Sequence, residues 1–217
     1  MERKGWYGVA MALALFTIVY NLAEGGFSTF FGYSDDSLAL FGFGVDSFIE
    51  VISGLGIAHM VVRITRNPES SPDSFERRAL TITGCCFYGL AAGLVIASGY
   101  YFFTAKRPET TFWGIVISVI SIIAMGALIY GKTKVGRRLK SEAILADGQC
   151  TKVCLYMSLV LLVSSGLYEW ARVPYVDAAG TLGLAYLSFR EGKECFEKVK
   201  NGTYSCSCCS CSQNIKV

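Results

Sequence analysis

Six stretches of this 217-residue chain are apolar enough and long enough to cross a lipid bilayer: residues 6–31, 37–64, 75–104, 111–131, 141–169 and 175–196. A helix needs about 20 apolar residues to span a hydrocarbon core. The polar hinges between them (residues 32–36, 67–74, 106–109, 132–140 and 172–174) are too short to hold a further domain. Sequential antiparallel helices follow, and the predicted fold class is an all-α membrane protein with six transmembrane helices. Composition agrees. Charged residues are 17% of the chain and the mean hydropathy is +0.43, whereas soluble chains carry about 25% charge. Disorder is excluded because disordered segments are poor in apolar residues. A nucleic-acid partner is not expected, since the net charge of +3 is not gathered on a basic face. The first run follows Arg3 and Lys4 as a signal peptide would. It lacks a small-residue cleavage site and continues through Asn21 and Glu24 to Phe31, so it reads as a retained helix.

Basic residues set the orientation. Sixteen fall at the N-terminus, the second and fourth hinges and the C-terminal end, against three (Lys106, Arg107 and Arg172) on the other side. That asymmetry predicts both termini in the cytoplasm, and a multi-pass protein of the cell (inner or plasma) membrane in contact with lipid.

The informative residues are ionisable ones at membrane depth, where charge is costly and marks pathways or sites. The second segment carries Asp46 and Glu50, spaced i,i+4 and therefore on one helix face. Two carboxylates that close repel, so a proton, a cation or a metal must compensate them. The fifth segment carries Cys150 and Cys154 at the same spacing. Facing each other, the two pairs supply four ligands for a tetrahedral transition metal. Bland alternatives stand beside that reading. The cysteines can be small buried hydrophobes, and the carboxylates a hydrogen-bonded structural pair or a proton relay. Asn21, Glu24, Asp147 and Asp177 are candidate auxiliary or proton-coupling groups. Asp177, near the outer surface, is equally a solvated residue or the N-cap of its own helix. His59, Cys85 and Cys86 read as packing residues, and Lys152 as a snorkelling one.

The motifs carrying these residues resemble the cation diffusion facilitator (cation efflux) family. Residues 42–54, Gly-Phe-Gly-Val-Asp-Ser-Phe-Ile-Glu-Val-Ile-Ser-Gly, resemble its second transmembrane helix, where two acidic or His residues four apart hold the metal. Ala146-Asp147-Gly148-Gln149-Cys150-Thr151-Lys152-Val153-Cys154 is similar to its fifth-helix motif Ala-Asp-x-x-His-x-x-x-Asp, with Cys150 and Cys154 at the His and Asp positions. Asn21-Leu22-Ala23-Glu24-Gly25 is similar to its first-helix Asn-x-x-Glu-Gly, and Asp177-Ala178-Ala179-Gly180 to the start of its sixth helix without the usual Pro. The resemblance covers residues 6–197 and divides the chain into a transporter domain, 1–197, and a tail, 198–217. Typical members continue into a cytoplasmic metal-binding domain that contributes to dimerisation. The expectation here is a short form without it, with a homodimer as the candidate assembly. In the tail, Cys206, Cys208, Cys209 and Cys211 form a second candidate site for soft metals.

The resemblance implies a secondary transporter, not an enzyme and without a resident cofactor. It would export a divalent transition-metal cation (Zn or a neighbour, with Cd, Co, Fe and Ni as further candidates) in exchange for protons. Binding a cation to carboxylates and thiolates releases protons, which supplies the coupling. The alternatives are a non-transporting membrane metal-binding or thiol-redox partner, and a plain six-helix scaffold.

Overall fold

The computed structural model describes residues 2–66, 74–104, 107–139, 142–172 and 175–201. They form six helices: α1 (Glu2–Ser34), α2 (Leu38–Arg66), α3 (Ser74–Thr104), α4 (Phe112–Leu139), α5 (Glu142–Ala171) and α6 (Val176–Asn201). No strand occurs among the described residues. Five stretches, Gly5–Ser34, Leu38–Arg63, Leu80–Thr104, Phe112–Leu139 and Thr151–Ala171, are long and apolar enough to span a bilayer. α6 is less apolar because its second half carries Arg190, Glu191, Lys193, Glu194, Glu197, Lys198 and Lys200. It is held in the bundle by α3 and α5. The chain is thus an all-α, multi-pass membrane protein.

The helices close into a ring in the order α1, α2, α3, α6, α5, α4 and back to α1, and α2 also reaches α5 and α6 across it. Large apolar side chains point outwards: Val19, Phe27, Phe30, Ile96, Phe103, Ile123 and Trp170 are all exposed. Such a surface suits lipid and would be an aggregation hazard in water. Polar groups are inside, among them Asn21, Glu24, Asp46, Lys132, Asp177 and Glu191. Where α1 meets α2 the backbones nearly touch. A Cβ on Gly44 would lie 2.6 Å from the Thr29 nitrogen, and one on Gly32 would lie 2.4 Å from that of Phe41. Only glycine allows this approach.

One boundary departs from the sequence expectation. The fourth segment was expected to end at residue 131, but α4 runs on to Leu139. Its apolar stripe continues beneath the basic residues: Val135 and Leu139, a turn apart, pack with Ala10, Val61 and Ile144. The 132–139 stretch is therefore helix rather than hinge.

The end of the bundle opposite the termini is tied shut. Asp36 takes a left-handed conformation (φ 53°), which Asp tolerates better than most residues. Ser37 then caps α2, its Oγ accepting from the Leu40 nitrogen at 3.3 Å. Asp177, at the start of α6, accepts from Ser37 Oγ at 2.8 Å and from the Leu38 and Ala39 nitrogens at 2.8 and 3.3 Å. The expected solvated residue, or cap of its own helix, is instead buried and caps α2, because that helix start presents free N–H groups to it. Nearby, the Thr111 nitrogen donates to Glu169 Oε2 (3.1 Å), Tyr168 Oη donates to the Pro108 carbonyl (2.6 Å), and the Glu109 nitrogen donates to the Asp35 carbonyl (2.9 Å). Replacing Asp177 by Ala leaves two buried N–H groups and a hydroxyl without their acceptor, at a cost of about 2–4 kcal/mol. The thermal-unfolding midpoint of Asp177→Ala in detergent is therefore expected to fall well below that of the parent. An unchanged midpoint would show that this clamp contributes nothing.

Candidate functional site

α2 is the helix with most neighbours, and its polar face meets α1 and α5 at Glu50. Glu50 Oε2 accepts from Asn21 Nδ2 of α1 at 2.8 Å, and Glu50 Oε1 accepts from the Cys154 thiol of α5. A single carboxylate thus joins three helices. One turn away along α2, Asp46 is 3% exposed, and its Oδ1 has no hydrogen-bond partner. Neither Asp46 nor Glu50 is in a salt bridge among the described residues.

Glu24 lies beside this pair. It accepts from Tyr20 Oη at 2.9 Å and from Ser47 Oγ of α2 at 3.1 Å. Asn21, a turn earlier, is 1% exposed, and its Oδ1 is unpartnered while its Nδ2 holds Glu50. Asp147 is engaged elsewhere. The buried Lys132 ammonium of α4 donates to Asp147 Oδ1 at 3.0 Å and to Thr151 Oγ1 at 3.0 Å. Asp177 is separated from Glu50 by 12 residues of α2, roughly 18 Å of helix. It belongs to the closed end, not to the Glu50 cluster.

Beyond Glu50, towards the termini, a cavity of about 60 Å³ opens between the helices. Its wall includes Asn21, Glu50, Cys154, Lys132, Asp147 and Glu191. Asp46 is not part of that wall. Past Asp46, Leu40, Phe43, Leu94, Ile117, Leu161 and Leu184 form one buried apolar cluster, with Ser28, Ser118, Ser165 and Thr181 buried among the same helices.

Cys150 lies on α5 one turn before Cys154, but its side chain is outside the described residues, as are the tail residues Cys206, Cys208, Cys209 and Cys211. Among the described residues no three His, Cys, Asp or Glu side chains stand close enough together to hold an ion. What is brought together is Glu50, Cys154 and Asn21, with Asp46 a turn beyond. Sequence reasoning missed the other ionisable members of the cavity. Lys132 and Lys198 enter the sequence reading only in the count of basic residues that sets the orientation, and Glu191 draws no attention inside a charged stretch. The available signal was spacing: Glu191 and Cys195 stand i,i+4, as Asp46 and Glu50 do.

Six helices with carboxylates gathered in their interior, beside a cavity between them, define an all-α membrane protein with an acidic, thiol-bearing centre. Residues 13–199 match the cation efflux transmembrane domain, so the chain belongs to the cation efflux family. It is also 24% identical over 198 residues to the manganese efflux system protein MneP of Bacillus subtilis (strain 168), an alignment covering 86% of this chain. The chain spans just under two thirds (66%) of that relative's length.

Proposed function

We propose that the protein is a secondary transporter exporting a divalent transition-metal cation from the cytoplasm in exchange for protons, through Asp46, Glu50, Cys150 and Cys154. The observation that carries this reading is the half-buried meeting of Glu50 on α2 with Cys154 on α5, in the wall of a cavity that lies between Glu50 and the end of the bundle holding the termini. With the termini in the cytoplasm, as the basic residues predict, the cavity lies on the cytoplasmic side of Glu50. The thiol that donates to Glu50 gives up its proton when an ion takes its place between sulfur and carboxylate. A carboxylate joined to a thiol across two helices can thus hold either protons or a metal, but not both. Alternating exposure of such a site to the two sides of the membrane performs antiport. The relative named for manganese supports a divalent cargo, whereas cysteine ligands favour softer ions. Zn²⁺, Cd²⁺, Co²⁺, Fe²⁺, Ni²⁺ and Mn²⁺ therefore all belong in the test.

The test is flux into proteoliposomes, run for each of these ions under an imposed pH gradient. At least one ion is expected to move, with the opposing proton gradient accelerating it. Lowering the pH on the cavity side protonates the ligands, so the apparent affinity there should weaken, by about tenfold per pH unit for each proton displaced. A purified, correctly inserted protein that moves none of the six ions overturns the reading.

A further inference from the structure

The same cavity holds a second acid–thiol pair that the proposed site does not use. Glu191 and Cys195 stand i,i+4 on α6, on one helix face, and both line the cavity. They are 6% and 5% exposed. Glu191 Oε1 has no hydrogen-bond partner, and neither has Thr83 Oγ1, which lines the cavity from α3 and is 1% exposed. α3 and α6 are drawn close at this level, where a Cβ on Gly84 would lie 3.0 Å from that of Cys195.

The two cavity lysines are each paired with another carboxylate. Lys132 is bound to Asp147 and Lys198 to Glu194, at 3.0 and 2.9 Å. Asp46 and Glu191 are then buried carboxylates, and Glu50 a half-buried one, outside any salt bridge among the described residues. A buried carboxylate oxygen without a donor is expensive, and the cost falls when a proton or cation arrives. A thiol one turn along and a hydroxyl on the facing helix complete a small donor set of mixed softness, suited to a borderline divalent ion.

We propose that Glu191, Cys195 and Thr83 form a second, weaker divalent-cation station in the cavity, occupied on the way to Glu50. The direction of traffic rests on the transport reading; the binding does not. Three donors, one of them a neutral hydroxyl, hold an ion less tightly than a full four-ligand site. Weak binding serves a carrier, because an ion held loosely at the first station can be released to the second, and two like-charged ions in one cavity repel.

The test uses the full chain in detergent with Cys150, Cys154, Cys206, Cys208, Cys209 and Cys211 all changed to Ser, titrated with Co²⁺. A thiolate-to-cobalt charge-transfer band is expected, lost on adding Cys195→Ser. Glu191→Gln, and to a smaller extent Thr83→Val, should weaken Co²⁺ binding, Glu191→Gln by roughly tenfold or more. No band in the six-Ser protein, or a band that survives Cys195→Ser, overturns the station. In proteoliposomes of the otherwise unaltered chain, Glu191→Gln should raise the ion concentration for half-maximal flux roughly tenfold, and affect it more than the maximum rate. Half-maximal flux at the parent concentration also overturns the station. A parent that binds Co²⁺ through Cys195 but carries no ion supports the station and rejects the transport reading.

Discussion

Glu50→Gln is expected to reduce cation flux by about a hundredfold or more, the equivalent of roughly 2.7 kcal/mol, while leaving the protein folded. The neutral amide keeps the shape of the glutamate and retains an oxygen that can accept from Asn21 Nδ2 or from Cys154, the two partners of Glu50. What it loses is the charge that a divalent ion needs and the group that a proton would otherwise occupy. Because the carboxylate is in no salt bridge among the described residues, neutralising it strands no buried cation. The thermal-unfolding midpoint should hold or rise. Glu50→Ala is the harsher change, since it also frees Asn21 Nδ2 and enlarges the cavity, and part of its effect would be structural. Flux and unfolding measured together separate the two. If Glu50→Gln carries every ion as the parent does, translocation does not pass through this residue.

Much of the fold was legible because lipid imposes a simple rule on sequence. A backbone crossing a bilayer must satisfy its own hydrogen bonds, so each apolar run of sufficient length becomes a helix. Asp46 and Glu50 were legible for the same reason, being carboxylates in a run of otherwise uncharged residues. The rule weakens where helices emerge from the hydrocarbon. Charged residues there can be solvated or turned inwards, and composition is the same in both cases. Lys132 read as a solvated loop residue, yet it is 2% exposed because α4 continues and Asp147 comes to meet it. Glu191 lay hidden among its charged neighbours on α6. Asp177 shows a different limit. Its partners at Ser37, Leu38 and Ala39 are about 140 residues away in the chain, and no local pattern announces so distant a cap.

Cys154→Ser is expected to change which ions are carried more than how well the protein folds. Serine is slightly smaller than cysteine and can still donate a hydrogen bond to Glu50, so the α2–α5 meeting survives. The chemistry at the atom does not. A thiol becomes a thiolate when a metal takes its proton and then binds soft ions preferentially. A serine hydroxyl does not ionise near neutral pH and offers a hard, neutral oxygen in its place. Cd²⁺ flux should therefore fall by at least about tenfold more than Mn²⁺ flux, a differential of roughly 1.4 kcal/mol. Cys150→Ser should act in the same direction if both cysteines of α5 bind the ion. The double variant Cys150→His with Cys154→Asp carries the pattern usual in the family and should favour borderline ions such as Zn²⁺ over Cd²⁺. Competition of each ion against a fixed concentration of a second, in proteoliposomes, reads these ratios directly. Equal losses for Cd²⁺ and Mn²⁺ in both serine variants would mean that the thiols pack against the site without binding the ion. Selectivity would then lie with Asp46 and Glu50, whose oxygen donors favour the harder cations that the manganese-exporting relative is named for.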